Sequence, residues 1–214
     1  MISSIKLLSL GFLSVGIITL MQVVLPIISF KLWEVGQSVN EVMLISPKPL
    51  KNSQVLGISI KNDGNFPTIY SEIKRENSPS YLEFSLSVPT LKLDQFKVLV
   101  DSNDLNEALA HLPGSALPGE RGNVFISGHS ALSWIFKNKK APFANLMDLK
   151  KGDEMYVQVG GSKFSYEVVG VKIVDPMDLS VIAPPDNLGR YITLMTCVPP
   201  GLNTKRLVVL GKII

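Results

Sequence analysis

The pattern of hydrophobic and polar positions begins with one long apolar segment. Residues Leu7–Phe30 form 24 consecutive positions without a charged side chain. About 20 apolar residues in a helix span the hydrocarbon core of a bilayer, so this segment predicts a transmembrane signal anchor. A cleaved signal peptide is the alternative, but the first Ala of the chain is Ala108, so no A-x-A cleavage site can follow the segment.

The residues on either side of the apolar segment predict its orientation. Lys6 precedes it, whereas Lys31, Trp33 and Glu34 follow it. Positive charge favours the cytoplasmic side, and Trp is frequent at membrane interfaces. We therefore expect a single-pass protein of the cell membrane with a cytoplasmic N-terminus and an extracytoplasmic body. Residues 1–30 are then the cytoplasmic tip and the transmembrane anchor.

Residues 31–80 have the composition of an extracytoplasmic stalk or linker. They include SPKPLKNSQ and KNDGNFPT, which are rich in turn-forming residues and show weak periodicity. A short strand at Val55–Ile60 interrupts this region in our interpretation. The third part, residues 81–214, is predicted to be the catalytic domain.

Residues 81–214 alternate between apolar and polar positions in the manner of half-buried strands, starting at Leu82–Val88. The further strand candidates are Phe96–Val100, Val124–Ser127, Glu154–Val159, Lys163–Val174, Tyr191–Cys197 and Arg206–Ile213. Gly160-Gly161 predicts a hairpin turn, and helices are predicted at Asp104–His111 and Phe143–Leu149. About seven strands with short helical connections favour a mainly β fold, a closed or half-closed barrel.

Composition excludes several classes of function. The net charge is +3, from 21 basic and 18 acidic residues, which is too balanced for a nucleic-acid-binding protein. The chain has one cysteine, so it has no internal disulfide and no zinc or iron–sulfur cage of thiolates. We expect neither a metal nor a cofactor.

Three residues with the chemistry of acyl transfer lie at strand ends. Cys197 ends an apolar strand before Pro199-Pro200, and His129 follows the apolar strand of GNVFISGH. Arg206 opens the last strand nine residues after Cys197, so two adjacent strands would bring both residues to one end of the barrel. Taken singly, a buried structural thiol, a turn histidine and a surface arginine are the alternatives. The other histidine, His111, is expected on the surface at a helix end.

Taken together, these residues and their flanking motifs resemble the sortase family of membrane-anchored cysteine transpeptidases. The similarity lies in LPGSALPGERGNVFISGH, TLMTC and GLNTKRLVV, which occur in family order and at family-like spacing. APFANLMDLKKGDEMYV and VDPMDLSVIAPP are also family-like, so the resemblance covers about residues 80–214. TLMTC is the most specific motif, because it corresponds to the TLxTC signature at the active site of the family.

The resemblance implies a fold, a reaction and roles for individual residues. The fold is a closed eight-stranded sortase-type β-barrel with short helices. The reaction cleaves an LPxTG-like sorting signal through a thioester and passes the acyl group to an amine of the cell wall. Cys197 is then the nucleophile, His129 the general acid/base and Arg206 the residue that aligns the substrate or stabilises the oxyanion. Thr196 is expected to line the substrate groove.

The implied partners are surface-protein or pilin precursors with a C-terminal sorting signal, and a peptidoglycan precursor or another amine acceptor. Two features disagree about the subclass. The GLNTKRL stretch is most similar to pilus-building sortases, whereas neither their Asp-Pro-aromatic lid motif nor a second membrane helix is evident. We favour protein anchoring to the cell wall. A pilin-polymerising sortase, a cysteine peptidase and a non-catalytic membrane-tethered binding module are the alternatives.

Overall fold

A computed structural model describes residues 4–39, 58–63, 66–71, 79–105, 108–130, 141–200 and 204–214. The chain divides into two compact units, Met1–Glu41 and Val42–Ile214. The first unit contains helix α1, Ser4–Val39. Within it, the 25 residues Leu8–Leu32 are long and apolar enough to cross a membrane, by length and composition. This helix contains the segment that the sequence predicts as an anchor.

The second unit begins with a two-stranded antiparallel hairpin of β1, Ile58–Asp63, and β2, Phe66–Ser71. It lies in the predicted stalk, and the predicted strand Val55–Ile60 overlaps β1 only at residues 58–60, since 55–57 fall outside the described residues. The Asn103 amide pairs with the Ser71 backbone at 3.3 and 3.2 Å, and the Ser71 hydroxyl donates to the Pro113 carbonyl at 2.8 Å. The end of the hairpin is thus fixed to the loops of the barrel.

The remaining eight strands form a closed barrel in the order β10-β8-β7-β3-β4-β5-β6-β9. Neighbouring strands are antiparallel except for the pairs β4–β5 and β6–β9, which are parallel. The strands are β3 (Glu83–Val88), β4 (Leu93–Leu99), β5 (Leu109–His111), β6 (Gly122–Ser127), β7 (Glu154–Val159), β8 (Ser162–Val174), β9 (Arg190–Val198) and β10 (Lys205–Ile213). This architecture confirms the predicted mainly β, closed eight-stranded barrel.

Alternation along each strand builds the core inside the barrel. In β3 the apolar positions Phe84, Leu86 and Val88 are buried, and the polar positions between them are half-exposed. Successive side chains of a strand point to opposite faces, so the other strands likewise direct one set of side chains into the barrel, while β9 and β10 are buried on both faces over most of their length. Interior side chains include Val98, Ile126, Met155, Val157, Tyr166, Val168, Ile192, Leu194, Leu207 and Val209. The predicted Gly160-Gly161 turn joins β7 to β8, with φ values of 54° and 82°.

The predicted helix Asp104–His111 is wrong. Its last three residues form the short strand β5, which continues the barrel between β4 and β6. Residues 104 and 105 have no regular structure, and 106–107 lie outside the described residues. The predicted helix Phe143–Leu149 contains only a single 3-10 turn, Leu146–Asp148. In both segments the tertiary position of the chain overrides a local helical pattern.

The expected surface position of His111 is also wrong, because this side chain is completely buried. Its Nδ1 accepts the Asp101 amide at 3.3 Å and lies 3.4 Å from the Asp101 carboxylate, and its Nε2 lies 2.9 Å from the Ala116 carbonyl. The Ser115 hydroxyl lies 2.9 Å from Nε2, and the Phe84 ring packs edge-on with the centroids 5.9 Å apart. His111 is therefore a hydrogen-bonded core residue, and the loops before β5 and β6 depend on it.

We expect His111→Ala to lower the free energy of unfolding by about 3 kcal/mol, because it leaves a cavity and unpaired polar groups. Its matched control is His129→Ala, which removes an exposed imidazole. Thermal unfolding of both variants checks this contrast. Equal midpoints for the two variants would contradict the structural role of His111.

Candidate active site

Three strands bring the predicted site residues to one end of the barrel. β9 lies between β6 and β10 in the sheet. The parallel register pairs Ser127 with Met195, so two residues further along His129 is level with Cys197. The antiparallel register pairs Cys197 with Arg206. Side chains of directly paired residues have Cβ atoms about 5 Å apart, so Cys197 and Arg206 are immediate neighbours.

Cys197 lies on the outer face of the barrel, since it alternates with the interior residues Leu194 and Thr196 along β9. It is half-buried and is a free thiol. Burial raises the pKa of this thiol, and the positive charge of Arg206 partly offsets the increase. At neutral pH the resting residue is therefore mainly a neutral thiol.

Arg206 is 3% exposed, which is unusual for a guanidinium. Its Nη1 donates to the carbonyl oxygen of Lys205 at 3.0 Å, and this bond fixes one of the two terminal nitrogens of the guanidinium group. Burial increases the strength of its Coulomb interaction with a thiolate or an oxyanion at Cys197, because water screens it less. The geometry therefore provides a fixed cation beside the thiol.

His129 lies in the loop after β6, and its side chain is exposed. The preceding residue, Gly128, faces the interior. A Cβ there would lie 2.5 Å from side-chain atoms of Leu109 and of Phe143, so only glycine fits without displacement. The Phe143 amide donates to the His129 carbonyl at 3.2 Å. The loop backbone is thus packed against the core while the imidazole projects to solvent.

Three hydrogen bonds join residues 128–130 to residues 195–197. The Gly128 amide donates to the Met195 carbonyl at 3.1 Å, and the Thr196 hydroxyl donates to the Gly128 carbonyl at 2.8 Å. The Ser130 hydroxyl donates to the carbonyl oxygen of Cys197. These bonds lie on both sides of His129, so they fix its backbone relative to that of Cys197.

Thr196 lies on the interior face of β9, and its contact with substrate stays a prediction. Its side chain is 3% exposed and points towards the interior, on the face opposite to Cys197. Its hydroxyl is occupied by the Gly128 carbonyl. In the structure this hydroxyl therefore links β9 to the loop that carries His129.

Ser130 is the residue of this site that sequence reasoning missed. Its position directly after His129 is the only signal in the sequence, and serine in a loop is too common to be informative. The contact with the Cys197 carbonyl depends on the parallel pairing of β6 and β9, which a sequence pattern does not specify.

We expect Thr196→Val to lower turnover by about tenfold and Ser130→Ala to lower it by less, because each removes one bond between the histidine loop and the cysteine strand. Thr196→Ser retains the hydroxyl and is the matched control, with near-normal turnover. Steady-state kinetics on a sorting peptide check this, together with thermal midpoints. A loss in Thr196→Ser as large as in Thr196→Val would show that the hydroxyl does not rescue turnover, and it would contradict the positioning role of this hydrogen bond.

The outer face next to Cys197 continues as an apolar cluster. Its members from the strands and the β5–β6 loop are Leu112, Phe125, Met195 and Val208. The connection between β8 and β9 packs on it through the 3-10 helix Leu179–Ile182. The Asn123 amide holds this connection by donating to the Ile182 carbonyl at 3.0 Å. Cys197 is therefore at the edge of an apolar surface that this connection covers.

Comparison with known proteins identifies the family to which this barrel belongs. The sortase domain model matches residues 86–214, which is more than half of the chain, so the chain belongs to the sortase family. A lid mutant of sortase A from Corynebacterium diphtheriae is 33% identical, with 65% of this chain and 73% of that chain covered and a TM-score of 0.55. The pilus-related sortase C of Group B Streptococcus is 32% identical, with 64% and 69% covered and a TM-score of 0.55.

Among curated proteins, sortase D of Bacillus subtilis is 32% identical over 115 residues, covering 52% of this chain and 53% of that protein. The chain thus spans about half the length of this curated relative. The matched region of the family model starts at residue 86, within β3, and includes the strand ends that carry Cys197, His129 and Arg206.

Proposed function

We propose that this protein is a cysteine transpeptidase that cleaves an LPxTG-like sorting signal and joins the released acyl group to an amine. The observation that carries the proposal is the convergence of the ends of β6, β9 and β10, with Cys197 and Arg206 as cross-strand partners and His129 level with them. Thiol, imidazole and guanidinium are the groups needed for acyl transfer through a thioester. Membership of the sortase family supports this reaction class, and residues 81–214 form the proposed catalytic domain.

The proposed reaction has two steps. In the first, the Cys197 thiol gives its proton to His129, the resulting thiolate attacks the carbonyl carbon of the Thr–Gly bond, the C–N bond breaks, and the His129 imidazolium protonates the leaving amine of glycine. In the second, an amine attacks the thioester, His129 accepts the proton, and the new amide forms as the thiolate leaves. Arg206 donates to the oxygen that becomes negative in each tetrahedral intermediate.

The raised pKa of Cys197 predicts the pH dependence of its reactivity. Because the thiolate is the reactive form, alkylation of Cys197 by iodoacetamide should continue to accelerate with pH beyond about 8.5, the usual value for a cysteine. N-acetylcysteine, alkylated under the same conditions, is the reference. A rate for Cys197 that reaches its plateau below pH 7 would contradict a thiol that is neutral at rest.

The leading proposal and its alternatives differ in the molecule that accepts the acyl group from Cys197. A peptidoglycan amine would make the enzyme a protein-anchoring sortase, and a lysine of another subunit would make it a pilin polymerase. The named structural neighbours include both a sortase A and a pilus-related sortase C, so fold similarity supports either acceptor. The cell-wall amine is the leading proposal, and the identity of the accepted amine decides between the two. In a cysteine peptidase the acceptor of the acyl group would be water, and a binding module would transfer no acyl group.

One experiment distinguishes these functions. The full chain in neutral detergent is mixed with LPxTG-type peptides, with and without triglycine or a lysine-containing pilin peptide, and the products are weighed by mass spectrometry. We expect a peptide ligated to one amine and little hydrolysis while that amine is present. Hydrolysis that no amine suppresses would support a peptidase, and the absence of any product over the whole peptide panel would support a binding module.

We also propose that α1 anchors the protein in the cell membrane with its N-terminus in the cytoplasm and the barrel outside. The length and hydropathy of Leu8–Leu32 support an anchor, and Lys6 supports the orientation. The barrel should be cleaved when protease is added to intact protoplasts, and the protein should stay with membranes after a high-salt wash. A barrel protected until the cells are lysed would contradict the orientation.

A further inference from the structure

A second candidate site lies at the end of the barrel opposite to Cys197. It is a cavity of about 510 Å³ at the starts of β6 and β9 and the end of β10. Cys197 is seven positions after Arg190 along β9, a distance of about 23 Å in a strand that rises about 3.3 Å per residue. The cavity is therefore separate from the candidate active site.

The lining of this cavity is strongly cationic. Arg121, Arg190 and Lys212 all line it, and their side chains are exposed, whereas Asp186 is its single acidic residue. In the described part of the chain, no carboxylate lies within 4.0 Å of any of these three cations. Glu167 pairs with Lys212 in the strand register, but its carboxylate is also more than 4.0 Å from the ammonium group. Three like charges facing one cavity repel each other, so a bound anion would be stabilised there.

The one carboxylate in the cavity is occupied by its own loop. Asp186 accepts hydrogen bonds from the Leu188 amide at 2.9 Å and the Gly189 amide at 2.5 Å. The Tyr191 hydroxyl donates to the other oxygen at 2.5 Å. The tyrosine bond, followed by the two amide bonds, lowers the pKa of Asp186, and the same carboxylate raises the pKa of Tyr191 to about 12. Asp186 thus fixes the loop and stays ionised, so the three cations and this one carboxylate leave the cavity lining with a net positive charge.

The floor of the cavity is fixed as well. A Cβ on Gly189 would lie 2.2 Å from the Tyr191 ring, so the backbone packs directly on that ring and only glycine fits. The Gly122 amide donates to the Gly189 carbonyl at 3.0 Å and joins the loop to β6. Because Arg121 and Arg190 flank these backbone contacts, their Cα positions are fixed before any ligand binds. A fixed backbone lowers part of the cost of binding, while the exposed side chains of Arg121 and Arg190 still lose freedom when a ligand binds.

We propose that this cavity binds a phosphate group, carried either by a soluble phosphate ester or by the headgroup of an anionic phospholipid. Two guanidinium groups offer planar pairs of donors that match phosphate oxygens, and the ammonium group adds a third charge. A singly charged, planar carboxylate would use fewer of these donors. The site lies outside the acyl-transfer machinery, so its occupancy and the proposed transpeptidase activity can be tested separately.

The test compares the full chain with two double variants of equal charge in neutral detergent. Arg121→Gln/Arg190→Gln removes two cations of the cavity, and Lys150→Gln/Lys151→Gln removes two exposed cations of the turn before β7. Inorganic phosphate, soluble dihexanoyl phosphatidylglycerol and acetate are titrated by calorimetry at constant ionic strength. Thermal midpoints and peptide turnover verify that both variants are folded.

We expect saturable binding of phosphate that weakens at least tenfold in the cavity variant and less than twofold in the lysine variant. Binding of the phospholipid as well assigns the site to a headgroup, and binding of phosphate alone assigns it to a soluble ester. Three results would overturn the proposal: no saturable binding, equal weakening in both variants, or acetate binding as tightly as phosphate.

Discussion

We expect Cys197→Ala to abolish both the cleavage of a sorting peptide and the formation of an acyl-enzyme. The chain contains no other cysteine, so no second thiol can replace the nucleophile. The thermal midpoint should change little, because the side chain is half-buried on the outer face of the barrel and the substitution removes a single sulfur atom. Activity is measured by peptide chromatography, the acyl-enzyme by intact mass and stability by thermal unfolding.

The variant Cys197→Ser provides the matched control for this experiment. It retains a hydroxyl in the place of the thiol, and it should also be inactive because serine lacks the acidity of a thiol. Residual cleavage in Cys197→Ala together with a large loss of stability would support a structural thiol instead.

Arg206→Lys should lower peptide turnover by about 100-fold or more, the effect typical of losing one oxyanion donor. Lysine keeps the positive charge beside Cys197 but cannot keep the planar fork of donors. The charge of Arg206 lowers the pKa of the thiol, and lysine preserves most of that effect. Alkylation of Cys197, which forms no oxyanion, should therefore change much less than turnover.

The neighbouring variant Lys205→Gln is the control for this prediction. Lys205 opens the same strand and lies 3.7 Å from Asp175, with its side chain partly exposed. Its loss should leave turnover within about twofold of normal. If Arg206→Lys retains near-normal turnover, the donor role is wrong. If alkylation and turnover fall in parallel, Arg206 mainly adjusts the pKa of the thiol.

The long strands of the barrel could be predicted because their pattern is local. The predicted Glu154–Val159 has the bounds of β7, where alternating burial shows directly in the residues. Tyr191–Cys197 lies within β9, which is buried on both faces and reads as an apolar run. The predicted Arg206–Ile213 likewise lies within β10. A half-buried strand has one apolar and one polar face whatever its partners are.

The short strand β5 could not be predicted in this way. It has three residues, all buried, so it has no polar face to alternate with the apolar one. Its partners β4 and β6 decide its conformation, and the sequence ALAH alone favours a helix. The burial of His111 follows from this strand and was missed for the same reason.

The candidate site shows the same division between local and long-range information. The sequence pattern predicts that Cys197, His129 and Arg206 each lie at the end of a strand. Which strand ends are neighbours depends on the order of β6, β9 and β10 in the sheet. Thr196 shows both kinds of information. The alternation along β9 already places it opposite to Cys197, and its hydrogen bond to Gly128 becomes visible only when the two parallel strands are paired.

The most direct test of the central claim is the intact mass of the full chain after mixing with an LPxTG-type peptide and then chasing with an amine. We expect the mass to increase by that of the peptide fragment up to its threonine, on Cys197 alone. The increase should disappear on addition of the amine as the ligated peptide appears. Cleavage without any adduct, or an adduct that Cys197→Ala still forms, would contradict acyl transfer through this thiol.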